Sequence, residues 1–220
     1  MVVAAHPDDE VLGCGGTMAS LVAVGCAVKV AFIADGVSAR SAEMTGLDAR
    51  RDAAHDACTR LGAEVVHVGS FPDNRLDTVA LLDIVQVVEA LVARHRPQLV
   101  MTHHLGDLNI DHRQVATAVL TACRPVIDHP VLTVLSFEVN SSTEWNHPDA
   151  QPGFVPDMFV DITATLGAKL DALRSYSAEM RPWPHPRSFE AVEYLARWRG
   201  AVIGAEAAEA FKVLRMVVRP

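Results

Sequence analysis

Cysteine is scarce in this chain, and its four cysteines stand far apart. Cys14, Cys26, Cys58 and Cys123 form no CxxC pair, which argues against a thiolate metal site and a disulfide framework. They read as reduced, mostly buried thiols, so a cytoplasmic setting is expected. Basic residues are also few: 19 Lys and Arg stand against 27 Asp and Glu, a net charge of −8. That balance opposes binding to a nucleic-acid backbone. No apolar run reaches the ~18–20 residues that cross a bilayer, and no basic segment followed by an apolar one opens the chain. No membrane span is therefore expected. Aromatic residues make up only 5%, so the core must rest on small and branched aliphatic side chains.

What is there is an alternation. Half of the 220 residues are hydrophobic, enough for one sizeable core, and a single domain over 1–220 is expected. Short apolar runs at 1–5, 27–34, 63–68, 98–102 and 131–137 read as strands buried on both faces. Between them, 13–25, 47–61, 78–95 and 112–123 read as helices. Gly62 is expected to stop the second, Asp77 or Thr78 to cap the third, and Pro97 and Pro125 to follow the last two. Strand–helix repeats of this length imply right-handed crossovers and a parallel sheet. The expected fold is α/β: a Rossmann-like, doubly wound, mostly parallel sheet with helices on both faces. Beyond about residue 140 the pattern loosens. A strand at 154–160, helices at 162–177 and 188–200 and a closing helix or strand at 210–218 are expected, with the proline-rich MRPWPHPRS irregular. This part reads as a lid and brace on the core at about 1–140.

One short stretch is out of keeping with a buried strand. AHPDDE, at 5–10, sets a histidine and three carboxylates directly after the first apolar run. In open α/β sheets, ligands bind beyond the carboxyl ends of the strands. Carboxylates this close repel unless a cation or a shared proton compensates them. A second polar cluster, THHLGDLNIDH at 102–112, follows the fourth strand and offers His103, His104, Asp107, Asp111 and His112. Loops after strands one and four can meet at the switch point of a doubly wound sheet, where His112 can turn toward His6 and Asp9. Two histidines and one carboxylate leave positions open for water and substrate, a catalytic metal pattern that suits Zn²⁺ and also Fe²⁺. Taken singly, an HxxD after a strand is usually a solvated turn and a DH at a helix start usually an N-cap. The two clusters together are what favour a metal. Gly13, Gly15 and Gly16 do not have GxGxxG spacing, and read as a close-packed helix start rather than a phosphate cradle.

AHPDDEVLGCGG, followed later by an xxDH motif, resembles the PIG-L (LmbE-like) family of metal-dependent sugar N-deacetylases. The likeness extends through the DGxSxR loop (Asp35, Gly36, Ser38, Arg40), the helix containing Arg50, FPDNRLD at 71–77, and the EVNSSTEWN and WPHPRS segments. It implies zinc as cofactor, with His6, Asp9 and His112 as metal ligands and Asp8 as general base. The family's usual HPDH reads Asn109-Ile110-Asp111-His112 here. Asn109 therefore replaces the histidine expected at the tetrahedral intermediate; it can donate a hydrogen bond to an oxyanion but not a proton. The proton-donor role falls open to His103, His104 or a shuttling Asp8, while Asp111 orients its neighbours. Arg50 and Asp73 match positions that hold sugar hydroxyls, and Arg40 and Arg75 are further substrate candidates.

The resemblance thus implies a hydrolase that frees acetate and an amine from an N-acetylglucosamine-type conjugate, working as a trimer or hexamer. Two alternatives stand beside it: a sugar-binding or scaffold protein whose catalysis is lost through Asn109, and a non-haem Fe²⁺ oxygenase on the same ligands.

Overall fold

The computed structural model describes residues 1–36, 46–147 and 149–218. Its elements run β1 (Val2–Ala4), α1 (Asp9–Ala23), β2 (Lys29–Ala34), α2 (Leu47–Arg60), β3 (Glu64–Phe71), α3 (Leu81–His95), β4 (Leu99–His103), α4 (Ile110–Ala122), β5 (Thr133–Phe137), β6 (Met158–Asp161), α5 (Leu166–Leu173), α6 (Phe189–Ile203) and β7 (Ala208–Met216). The strands form one sheet in the order β3-β2-β1-β4-β5-β7-β6. The first five are parallel; β7 runs antiparallel to both β5 and β6. The strand order reverses between β1 and β4, as a doubly wound sheet requires.

The unbroken apolar strands follow from burial on both faces. Val2, Ala4, Val30 and Phe32 pack into one core with α1, α2 and α5. Their alternates Val3, Ala5, Ala31 and Ile33 pack into a second core with α3 and α4. Strand side chains alternate between faces, so each strand serves both cores.

Several boundaries depart from the pattern read in the sequence, each for a local reason. Helix α1 begins at Asp9 rather than at Gly13, because the Leu12 N–H already bonds the Asp8 carbonyl at 3.0 Å. Helix α3 begins at Leu81, and neither Asp77 nor Thr78 caps it; its N-cap is Ala80, without a side-chain bond. The Leu76 N–H is drawn instead to Asp111 Oδ1, at 2.9 Å, and Leu76–Thr78 make a separate 3₁₀ turn. The helix expected over 162–177 is shorter, and its last turn, Arg174–Tyr176, is 3₁₀. The closing element is a strand, and with β6 it extends the main sheet.

Helix α1 breaks at Cys14 (φ −149°). The break lets the helix pass close to the sheet: a Cβ on Gly13 would stand 2.2 Å from the Phe137 ring, and one on Gly16 2.7 Å from Ile162. The glycines there serve packing. The backbone groups freed by the break find buried charges. Glu209 accepts from the Gly16 and Thr17 N–H groups at 2.9 and 2.7 Å. Lys169 Nζ donates to the Leu12 carbonyl at 2.8 Å and to Glu209 at 2.6 Å. Removing one partner of a buried pair strands the other charge and costs ~3–5 kcal/mol. Glu209→Ala is therefore expected to lower the unfolding free energy by about that amount in a urea titration. A loss of no more than ~1 kcal/mol, the size for an exposed pair, would show that water replaces the carboxylate.

Candidate metal centre

The turn after β1 is built to a strained shape. Asp8 has φ 109° and ψ −30°, a conformation that a non-glycine residue holds only when its surroundings over-determine it. Its N–H is taken by Glu10 Oε2 at 2.9 Å. Glu10 is itself buried and accepts from Tyr176 Oη at 2.7 Å; burial pushes its carboxyl up to about 8 despite that bond. The His6 N–H donates to Asp9 Oδ2 at 2.9 Å. Gly36 crosses above this turn with φ 72°, where a Cβ would lie 2.9 Å from Pro7, so no larger residue fits.

The switch point brings α4 against this turn. His6 Nδ1 and His112 Nε2 each stand 3.3 Å from Asp9 Oδ2. The opposite nitrogen of each ring faces a carboxylate. His6 Nε2 is 2.9 Å from Asp111 Oδ2 and 3.0 Å from Asp73 Oδ1; His112 Nδ1 is 3.2 Å from Asp107 Oδ1. A carboxylate only accepts, so the outer nitrogens carry protons; the inner nitrogens face the Asp9 carboxylate and would have to give up theirs to hold a cation. Asp111 is fixed by the Asn74 N–H at 2.7 Å as well as by Leu76. Asp107 is fixed by the Ser142 hydroxyl and by Thr143 Oγ1 at 2.6 Å.

The histidines and carboxylates among these groups are buried, and their charges are strongly coupled. Burial opposes a charge on His112, but Asp9 and Asp107 override it and raise the ring to about 9. His6 is likewise raised, against burial, by Asp111, Asp73 and Asp9. Asp9 is held well below the carboxylate range: burial works against its charge, and the His112, His6 and His103 rings outweigh it. The pocket therefore draws positive charge. Asp9 Oδ1 and His112 Nε2 are both buried without a hydrogen-bond partner. Two imidazole nitrogens and a carboxylate oxygen at this spacing, each backed by an outer partner, fit a divalent cation of the zinc or ferrous kind.

Asp8 turns to the other side. Arg187 Nη1 donates to its Oδ2 at 3.0 Å, and Arg50 Nη2 lies 3.4 Å away. Arg50 is held in turn by the Pro7 carbonyl at 2.5 Å and by Glu179 at 2.7 Å. Burial raises the Asp8 carboxyl above its ordinary range, while the two guanidinium groups pull it back.

The remaining sequence candidates fall in different places. Arg50 and Asp73, expected to face sugar hydroxyls, are buried; one is pinned to Asp8 and Glu179, the other to His6. His103 is fully buried, accepts the Ala5 N–H on Nε2 at 2.8 Å and stacks on His112 with ring centroids 3.9 Å apart. Burial drops it to about 3, so it is a neutral packing ring, not a substrate contact or acid. His104 Nε2 bonds the Pro152 carbonyl at 2.9 Å. Asn109 caps α4, accepting from the Asp111 N–H at 2.8 Å, and its Nδ2 reaches Asn74 Oδ1 at 3.2 Å. Arg75 is exposed on the turn before α3. Arg40 lies outside the described residues. Sequence assigns no individual role to Asp107, Arg187 or Glu179: Asp107 is one acid in a polar loop, Glu179 and Arg187 lie more than 60 residues beyond His112, and Arg187 enters only as part of the WPHPRS segment.

Three comparisons bear on this geometry. The family model described as PIG-L, GlcNAc-PI de-N-acetylase, matches residues 1–123. The chain is 26% identical over 185 residues to the uncharacterized deacetylase YaiS of Escherichia coli K12, covering 81% of this chain and 90% of that protein. It is 25% identical over 178 residues to a probable N-acetyl-alpha-D-glucosaminyl L-malate deacetylase 2 of Bacillus cereus, covering 76% and 80%. Among solved structures, it superposes on GalB, the 4-carboxy-2-hydroxymuconate hydratase of Pseudomonas putida KT2440. That match has a TM-score of 0.77 at 25% identity and covers 100% of this chain and 97% of that one.

Proposed function

Because the chain belongs to the PIG-L family of deacetylases, we propose that it is a zinc-dependent hydrolase that removes the N-acetyl group from an N-acetylglucosamine-type conjugate. The observation that carries this reading is the convergence of His6 Nδ1, Asp9 Oδ2 and His112 Nε2 on one point, one residue along the chain from the buried carboxylate of Asp8.

A cation held by those three atoms would polarise the acetamide carbonyl and lower the pKa of a water toward ~7. The chain's own groups do the rest. Asp8 accepts a proton from the attacking water, and the water oxygen forms its bond to the carbonyl carbon. Arg187 and Arg50 fix the Asp8 carboxylate while the proton moves. Asn109 Nδ2 gives one hydrogen to Asn74, and its second is free to donate to the oxygen that gains charge. As the C–N bond breaks, Asp8 returns its proton to the nitrogen, giving acetate and a free amine. With His103 held neutral beneath the cluster, this shuttle replaces the acid that a histidine at position 109 would supply.

A second reading is favoured by the hydratase likeness. The same activated water could add across a carbon–carbon double bond of an unsaturated acid, its oxygen bonding one carbon while the proton taken by Asp8 passes to the other; no leaving amine would then call for an acid at position 109. Both readings are tested together on chelator-treated protein, with and without added Zn²⁺. Zinc-dependent acetate release from N-acetylglucosamine conjugates supports the hydrolase. Zinc-dependent loss of dienoate absorbance without acetate release would replace it with the hydratase.

A further inference from the structure

A groove opens beside the metal centre, between the chain after β5 and the segment that leads into α6. Its volume is about 330 Å³, at the lower end of the ~300–1,000 Å³ typical of small-molecule sites. Its walls include Val139, Pro184, Pro186, Trp183 and Tyr194. The two aromatic rings meet edge-to-face with centroids 5.6 Å apart, yet each is more than half exposed. No lysine or arginine lines it among the described residues. Its two carboxylates are already engaged: Glu138 takes both arms of Arg199 at 2.7 Å, and Glu144 accepts the Ser141 and Ser142 N–H groups. The groove therefore suits a neutral group with an apolar face.

Asn140 adds a polar requirement. This groove residue is 94% buried, and its Nδ2 donates to the Pro186 carbonyl at 3.2 Å, but its Oδ1 has no partner. A buried acceptor is costly to leave unmatched, so the wall asks for a hydroxyl or N–H donor.

Each wall continues along the chain into residues that contact the metal centre. Pro186 precedes Arg187, whose guanidinium holds Asp8. Ser142 and Thr143, just after Asn140, hold Asp107 behind His112. A group in the groove thus lies beside a substrate whose amide is at Asp8. We propose that the groove is a subsite for a second, uncharged six-membered ring of the substrate. This ring, an aryl group or a pyranose, stacks on Trp183 and Tyr194 and donates a hydrogen bond to Asn140 Oδ1. Calling it a substrate subsite rests on the hydrolase reading; ring binding itself does not.

The test uses two sets of probes. Calorimetry with p-nitrophenyl glucoside and with methyl cellobioside, neither of which carries an acetamide, asks whether an aryl or a pyranose ring binds. Trp183→Ala and Tyr194→Ala are expected to weaken the ring that binds by at least tenfold. In the kinetic arm, Trp183→Ala should raise KM about tenfold for p-nitrophenyl N-acetylglucosaminide or diacetylchitobiose at unchanged kcat. The KM for N-acetylglucosamine itself should not move. Wild-type protein that binds neither ring would overturn the subsite. So would variants that bind as wild type but dissociate on size exclusion, which would make the face a contact between copies of the chain. Ring binding lost in the variants, with no acetate released from any substrate, would uphold the groove and reject the hydrolase reading.

Discussion

Asp8→Asn is expected to cut kcat for acetate release by about 100- to 10,000-fold, the range a positioned proton acceptor supplies, with KM little changed. The substitution keeps the side chain's volume and one oxygen for Arg187. It removes only the charge that accepts a proton. The guanidinium groups left behind do not collapse the site: Arg50 keeps Glu179 and the Pro7 carbonyl. The turn keeps its shape because Asp8 is fixed through its main chain, by Glu10 on the N–H and Leu12 on the carbonyl. Unfolding by urea should therefore shift little, and bound zinc should remain at the wild-type level. A variant that keeps a tenth or more of wild-type kcat would move the base to another group. A variant that loses zinc as well would mean that Asp8 shapes the ligand turn rather than the proton transfer.

Arg187→Ala separates positioning from chemistry at the same carboxylate. Arg187 is the closer cation to Asp8, at 3.0 Å against 3.4 Å for Arg50. Its role depends on the fold of a segment 179 residues away. That separation marks where the sequence was legible and where it was not. The mostly parallel sheet, the switch point and the convergence of His6, Asp9 and His112 follow from local signals: apolar runs, helix-length spacers, and polar clusters placed immediately after strands. The outer layer has no such signal. Asp107 looks like any loop acid until Ser142 and Thr143 arrive from beyond β5, and Glu179 looks like a surface carboxylate until Arg50 turns inward. Conversely, His103 carried every local sign of a site residue, but its position on β4 points it into the core under His112, where the Ala5 N–H occupies its nitrogen. Residue type and spacing report which groups can do chemistry; tertiary packing decides which nitrogen or oxygen is left free. The start of α1 shows the same limit. Gly13, Gly15 and Gly16 read as a helix start in sequence, yet they lie within a helix that opens at Asp9, inside the charged motif.

His112→Ala should abolish both metal retention and acetate release. Of the three proposed ligands, His112 has the most independent position: it comes from α4, whereas His6 and Asp9 share one turn. Its loss leaves only those two adjacent donors, and no neighbouring nitrogen can substitute. His103 Nε2, 3.6 Å from Asp9, is already the acceptor for the Ala5 N–H. The void left by the ring borders polar groups on both sides, so water can fill it and the sheet should survive, as circular dichroism would register. Asp107→Asn gives the graded counterpart. The amide still faces His112 Nδ1 but no longer as a carboxylate, and loss of such an outer partner typically costs 10–100-fold in metal affinity. The pH dependence follows from the same contacts. The metal-free His112 titrates near 9, raised by the carboxylates around it, and a ligand nitrogen must give up its proton to bind a cation. Below that pH, wild-type affinity for zinc should fall about tenfold per unit for each proton displaced. Competition titrations against a chromophoric chelator between pH 6 and 9 read this slope directly. A flat profile, or zinc retained stoichiometrically by His112→Ala, would place the cation elsewhere: the cluster of His6, Asp73 and Asp111 on the far side of the same imidazole would then be the group to examine, with Asp73→Asn as the deciding variant.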